Sequence, residues 1–280
     1  VVEVEAVTGP PSRSQQWLPE GSWRAVLVTL WVLWAALLFG GFLLGSSAND
    51  ATHRMPTWTR MGSSAVLVLA AWAWFAAARG PTDARKSRGN DGDYGDHGEA
   101  ARSARDFALI VGLGMTAGFA GDLILAGLLP GGENVLAGIA AFGIGHVLYI
   151  AAILRTAGRR GYNHPRIRWT AFAAWWVIGA AAWYLVVFRG QQATVLHWAA
   201  LPYALLLAGT CGAATGLAAQ ARAFVPMAVG AALFLASDLI LAAQLFNDVD
   251  FHLIGDVIWL TYGPGQMLIV YSNAAVRRGT

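Results

Sequence analysis

The sequence predicts an all-α integral membrane protein with eight transmembrane helices, both termini cytoplasmic, and a parallel internal repeat relating helices 1–4 to helices 5–8. Three observations carry this expectation. The 280 residues are 56% hydrophobic and only 12% charged, with a mean hydropathy of +0.50, whereas a soluble domain carries about 25% charged residues. Apolar runs recur at the length of about 20 residues that a helix needs to cross the hydrocarbon core. The pentapeptide Asp-Leu-Ile-Leu-Ala occurs at 122–126 and again at 238–242, each time inside such a run.

Taken in order, residues 1–22 are polar, contain Pro10-Pro11, and read as a flexible tail rather than a signal peptide. The membrane domain covers 23–276. Its spans fall at about 23–44, 61–78, 107–129, 133–154, 170–188, 195–218, 224–245 and 251–271. Between the second and third lies a charged, glycine-rich stretch, 79–105, expected to be a mobile cytoplasmic loop. Pro130-Gly131-Gly132 marks a tight turn, and 277–280 form a short C-terminal tail. Charge supports the count: with both termini on one side, all of the 19 basic residues except Arg54, Arg60 and Arg189 fall on that side. That is the bias of cytoplasmic loops. Trp17, Trp23, Trp58, Trp169 and Trp198 sit near span ends, where interface tryptophans gather.

The composition also excludes. The net charge of +3 lies in loops between spans, so it is no nucleic-acid signature. The single cysteine, Cys211, permits no disulfide within the chain. The only lysine, Lys86, lies in a loop, so no span can form a retinal Schiff base. Abundant Ala, Gly, Arg and Trp with so little Lys suggests a GC-rich bacterial genome and hence a bacterial plasma membrane.

The repeat places Asp122 on span three and Asp238 on span seven, 116 positions apart and pointing the same way through the membrane. An ionisable group at membrane depth costs roughly 2.5–3.5 kcal/mol on insertion scales and is a functional candidate for that reason. Burial disfavours charge on each acid, and a second carboxylate nearby disfavours it further. The pair is therefore expected to hold one proton between them, an arrangement suited to acid/base chemistry. His146 and Tyr149 share a face of span four with Phe142, and Tyr262 and Gln266 share a face of span eight. These polar faces, with Ser237 beside Asp238, Asn134 at the start of span four and Arg60 near the start of span two, are the candidates for positioning substrate or water. Asp256 is a weaker candidate, nearer the surface. A metal site built from Asp122, Asp238 and His146 has no HExxH motif or cysteine pair behind it, and neither metal nor cofactor is expected.

Phe119-Ala120-Gly121-Asp122-Leu123-Ile124-Leu125, followed by Gly138 to Tyr149 with its Phe142, Gly145-His146 and Tyr149, resembles the YhhN family of multi-spanning membrane proteins. Ala232 to Asp238 resembles that family's second signature, and Thr261-Tyr262 with Gln266 its last helix. Thr59-Arg60-Met61 is similar to its Thr-Lys segment, with Arg in place of Lys, and the charged loop after span two looks like an insertion. The resemblance covers about residues 25–275. Animal members of the family are lysoplasmalogenases, which hydrolyse the vinyl ether of a lysoplasmalogen to a fatty aldehyde and a glycerophospho-alcohol. The resemblance implies Asp122 and Asp238 as the essential acids, a lysophospholipid as substrate, and membrane lipids as the surrounding partners. A proton-coupled transporter and a lipid-binding membrane protein use the same buried aspartates in two other readings of these residues. The oligomeric state is not readable.

Overall fold

A computed structural model describes residues 18–19, 21–46, 52–79, 94–130, 132–190 and 195–278. The described residues form helices and connecting turns, with no strand. The long helices are α1 (Ser22–Leu44), α2 (Thr57–Ala78), α3 (Tyr94–Leu125), α4 (Val135–Arg159), α5 (Pro165–Phe188), α6 (Val195–Ala218), α7 (Arg222–Asn247) and α8 (Ile254–Tyr271), followed by a short α9 (Asn273–Arg277). Seven of them, α1 to α7, are long and apolar enough to cross a membrane, which makes this a multi-pass membrane protein in character. The expected eighth span, α8, is helical but has only 18 residues and carries Asp256, Pro264 and Gln266. It takes its place by packing: Ile254, Gly255, Asp256, Tyr262 and Gln266 are all buried.

The helices that touch most form a ring. α2 packs on α3, α3 on α4, α4 on α6, α6 on α7, α7 on α8, and α8 back on α2, while α1 leans on α2 from outside and α5 on α6. The two outer helices each contain a π-helical stretch, at Ala36–Gly40 and Trp183–Phe188. Close approach within the ring depends on small residues, as packing between membrane helices does. A Cβ on Gly114 of α3 would lie 2.7 Å from the Tyr149 ring, and one on Gly145 of α4 would lie 3.0 Å from the Gly114 carbonyl oxygen. A Cβ on Gly230 of α7 would come within 2.7 Å of the Gly265 oxygen. Gly114 and Gly230 each precede an aspartate by eight positions, so these two glycine contacts lie about two turns from the acids, while Gly121 and Gly138 bring α3 and α4 equally close beside Asp122.

At the end bearing the termini, Tyr271 Oη donates to Leu27 O, Arg277 to Ala77 O, and Arg160 to Val276 O. The opposite end carries a clasp. Asp256 accepts the main-chain N–H groups of Arg54 (2.6 Å) and Met55 (3.1 Å), and Gly255 N–H bonds Thr52 O at 2.9 Å. A side chain at Gly255 would meet the His53 ring, so only glycine fits there. Asp256 thus fastens the α1–α2 loop to α8 and is a structural residue.

Boundaries differ from the sequence reading in several places, α4 running on to Arg159 and α5 starting at Pro165 among them. α2 starts at Thr57 rather than 61, which brings Arg60 inside its first turn. The stretch expected as a loop over 79–105 is helical from Tyr94 onward, and 80–93 lies outside the described residues, as do 1–17 of the expected tail. α3 ends at Leu125, short of the expected 129, because Gly127 adopts φ +66° and its N–H closes on Ile124 O. Pro264 does not break α8, which is helical throughout.

Candidate active site

Asp122 sits in the last turn of α3 and is 5% exposed. Both its oxygens accept hydroxyl donors: Ser64 Oγ of α2 reaches Oδ2 at 2.5 Å, and Tyr262 Oη of α8 reaches Oδ1 at 2.9 Å. Gln266, one turn along α8, donates its Nε2–H to the same phenol oxygen at 2.5 Å. That donation leaves the Tyr262 proton for Asp122. The carboxyl therefore receives two O–H donors from two helices, and a carboxylate is the form that accepts on both oxygens.

Asp238 is held differently. Tyr203 Oη of α6 donates to Oδ2. Ser237 Oγ lies 3.3 Å from Oδ1, but its proton is committed to the Phe234 carbonyl at 2.7 Å, the back-bond that serine makes inside helices. Oδ1 is thus without a committed donor.

Both acids face one cavity of about 410 Å³, a size that suits a small-molecule site. The cavity lies at the end of the bundle away from the termini, where His53, Thr57 and Arg60 meet Glu133 and Trp259. Trp183, Val187, Leu207, Leu239, Ala242 and Leu245 give it an apolar wall from α5, α6 and α7. Phe142 and Tyr262 line it edge-on to each other, with ring centroids 6.1 Å apart, and Phe234 packs behind Tyr262 at 4.9 Å.

The expected site residues divide into those that line this space and those that do not. Asp122, Asp238, Tyr262 and Arg60 line it. Gln266 acts on it through Tyr262. His146 lies behind Phe234: its ring is edge-on to that ring at 4.5 Å and to the Tyr203 ring at 6.1 Å. Its Nδ1 is 3.0 Å from Thr210 Oγ1, whose own proton goes to Leu206 O, so Nδ1 is the donor to Thr210. Tyr149 is further back and donates to Met115 Sδ at 3.5 Å. Ser237 is fully buried and bonds back to its own helix. Asn134 is the N-cap of α4, accepting Ala137 N–H at 2.9 Å, a role that accounts for its side chain. Among the described residues, no group of three or more His, Cys, Asp or Glu side chains gathers where it could hold a metal ion.

Two residues the sequence reading did not single out now stand beside the acids, Ser64 and Tyr203. A signal existed for each. Ser63-Ser64 interrupts an alanine-rich span, and Tyr203 is a phenol well inside another. Neither signal says which helix the hydroxyl will meet.

The chain was compared with known proteins. No curated protein and no solved structure matches it. The model of the YhhN family matches residues 59–273, which take in both aspartates, both of their tyrosine partners and the cavity wall from Thr59 of α2 through α8. The chain belongs to the YhhN family.

Proposed function

We propose that this protein is an intramembrane hydrolase that cleaves the vinyl ether of lysoplasmalogen-like lysolipids, releasing a fatty aldehyde and a glycerophospho-alcohol. The observation that carries the reading is the convergence of a buried and a half-buried aspartate, unlike in their hydrogen bonding, on one cavity lined by polar residues of α2 and α4 and by apolar residues of α5, α6 and α7.

A vinyl ether resists direct attack by water and reacts by protonation at carbon. In this reading Asp238 is the general acid, because Oδ1 has no committed donor and can itself carry a proton. That proton adds to the alkene carbon remote from oxygen, and the π electrons leave an oxocarbenium ion at the ether carbon. Asp122, fixed as a carboxylate by Ser64 and Tyr262, faces the cation and takes a proton from the water that attacks it. The product is a hemiacetal. Its collapse forms the aldehyde C=O, breaks the bond to the glycerol oxygen, returns the Asp122 proton to that oxygen and the hydroxyl proton to Asp238. One water is consumed and both acids are reset. Ser64, Tyr203, Tyr262 and Gln266 are positioning residues in this scheme.

The ring order supports the parallel repeat: α1 to α4 make the same succession of contacts as α5 to α8, and α4 meets α6 as α8 meets α2. The arginine distribution supports cytoplasmic termini, which would put the cavity mouth in the outer leaflet. The lysine-poor composition supports a bacterial plasma membrane.

The test is mass spectrometry of purified protein incubated with lysoplasmalogen, beside Asp122→Asn and Asp238→Asn. Aldehyde from the wild type, with little from either variant, is the expected result. Turnover undiminished in either variant would overturn the acid pair, and no aldehyde from the wild type would overturn the substrate assignment.

A further inference from the structure

The cavity is lined at one end by a cation, Arg60, and an anion, Glu133. Arg60, half-buried in the first turn of α2, donates from its guanidinium to Thr57 Oγ1 at 3.0 Å and lies over the Trp259 ring at 6.0 Å. Those contacts orient it at the rim. Glu133 reaches the same space from the residue before Asn134. A glutamate beside a helix start ordinarily serves that helix, but the capping bond of α4 is made by Asn134. Among the described residues no hydrogen bond or ion pair engages the Glu133 carboxylate, and its side chain is exposed at the mouth. Opposite this charged rim runs the apolar wall of α5, α6 and α7, and the two acids lie in the space that both enclose.

We infer that Arg60 and Glu133 form a head-group subsite for a lysolipid with a zwitterionic head, the guanidinium taking the phosphate and the carboxylate taking the amine. The inference rests on the lysolipid reading above, and not on the bond that is cleaved. A single chain lies along the apolar wall, the phosphate meets Arg60, and an ethanolamine ammonium reaches Glu133. A phosphoglycerol head keeps the phosphate contact, brings no cation to Glu133, and carries a net negative charge that the carboxylate repels. The subsite therefore discriminates by the second charge of the head, and the phosphate contact is common to both lipids.

The test uses lysolipids that cannot be cleaved: 1-O-alkyl lysophosphoethanolamine and 1-O-alkyl lysophosphoglycerol with the same saturated chain, titrated calorimetrically into the detergent-solubilised full chain. The ethanolamine lipid is expected to bind about tenfold more tightly, as a single charge-assisted contact allows. Glu133→Gln weakens ethanolamine binding and tightens glycerol binding, bringing the ratio of the two Kd values close to one. Arg60→Gln weakens both lipids in parallel. An unchanged ratio in Glu133→Gln, or an Arg60→Gln effect confined to one lipid, overturns the subsite. Soluble phosphoethanolamine separates a lipid head from a free phosphate ester: displacement by it as effective as by the lysolipid overturns the lipid assignment. Vinyl-ether lipids run in parallel keep the two readings apart. Aldehyde release without any head-group preference in binding rejects the subsite alone. Head-group preference without aldehyde release rejects the chemistry and leaves the subsite standing.

Discussion

Asp122 and Asp238 each lie eight positions after a glycine and begin the same pentapeptide, yet their surroundings differ. Asp122 accepts hydroxyls on both oxygens, and one of those hydroxyls is held in turn by Gln266. Asp238 accepts one phenol, and its nearest serine is bonded elsewhere. The first half also brings the charged rim to the cavity, the second half most of the apolar wall. The lesson is that one repeated pentapeptide can carry two identical side chains into unlike surroundings, because the donors around a carboxyl come from neighbouring helices and not from the helix that carries it.

The largest expected effect tests that inequality directly. Asp122→Asn and Asp238→Asn should each lower aldehyde release by about 10²–10⁴, the usual weight of a general acid or base. They should differ in the pH dependence of what remains. Loss of the acid removes the decline toward high pH, so that limb should vanish in Asp238→Asn, while the decline toward low pH should vanish in Asp122→Asn. Identical profiles would erase the assigned roles.

A smaller effect concerns the donors. Tyr203→Phe removes the only phenol on Asp238 and should cost about tenfold in kcat, the value of one hydrogen bond at a charged or charge-sharing group. Ser64→Ala leaves Asp122 with Tyr262 and should cost only about two- to threefold on the same scale. Equal losses, read as steady-state rates on the folded variants, would show that the two acids are supported alike.

The glycines offer a structural version of the contrast. Gly230→Ala would press a methyl on the Gly265 carbonyl, which belongs to the backbone, whereas Gly114→Ala presses first on the Tyr149 ring. Overpacking of this kind costs about 1–3 kcal/mol. Thermal unfolding in detergent should therefore show the larger loss at Gly230, and a larger loss at Gly114 would mean that α3 and α4 are the more rigid pair. The smallest effect on turnover is expected at Asp256→Asn. That change disturbs two hydrogen bonds of the loop clasp and should lower the unfolding temperature while leaving the rate per folded molecule near wild type. A fall in kcat comparable to that of Tyr203→Phe would return Asp256 to the site.

Much of this was legible in the letters. Hydropathy gave the helices, because a span needs about 20 apolar residues whatever surrounds it, and the repeated Asp-Leu-Ile-Leu-Ala singled out both acids. Tyr262 and Gln266 were legible as a polar face one turn apart. What remained hidden depends on contacts between helices. Ser64 meets Asp122 across 58 positions of sequence and Tyr203 meets Asp238 across 35. Spacing along one helix carries no record of such partners. His146 and Tyr149 share the correct face, yet Phe234 and Phe142 stand between that face and the cavity. Asn134 read as a polar residue near the site, and only the backbone of α4 shows it occupied as a cap. The helical start of α3 at Tyr94 was masked by charge, because a helix that leaves the membrane keeps its form after its hydropathy has gone.

The modest apolarity of α8 has a consequence for how the protein is made. A helix carrying Asp256, Pro264 and Gln266 partitions poorly into lipid by itself, and its Asp256 and Tyr262 find their hydrogen-bond partners in the α1–α2 loop and on α3. It follows α7 after a short connection and packs along it, so that pairing supplies what its own apolarity does not. Tyr262 rides on that helix, so the hydroxyl that completes the surroundings of Asp122 depends on α8 being seated against its neighbours.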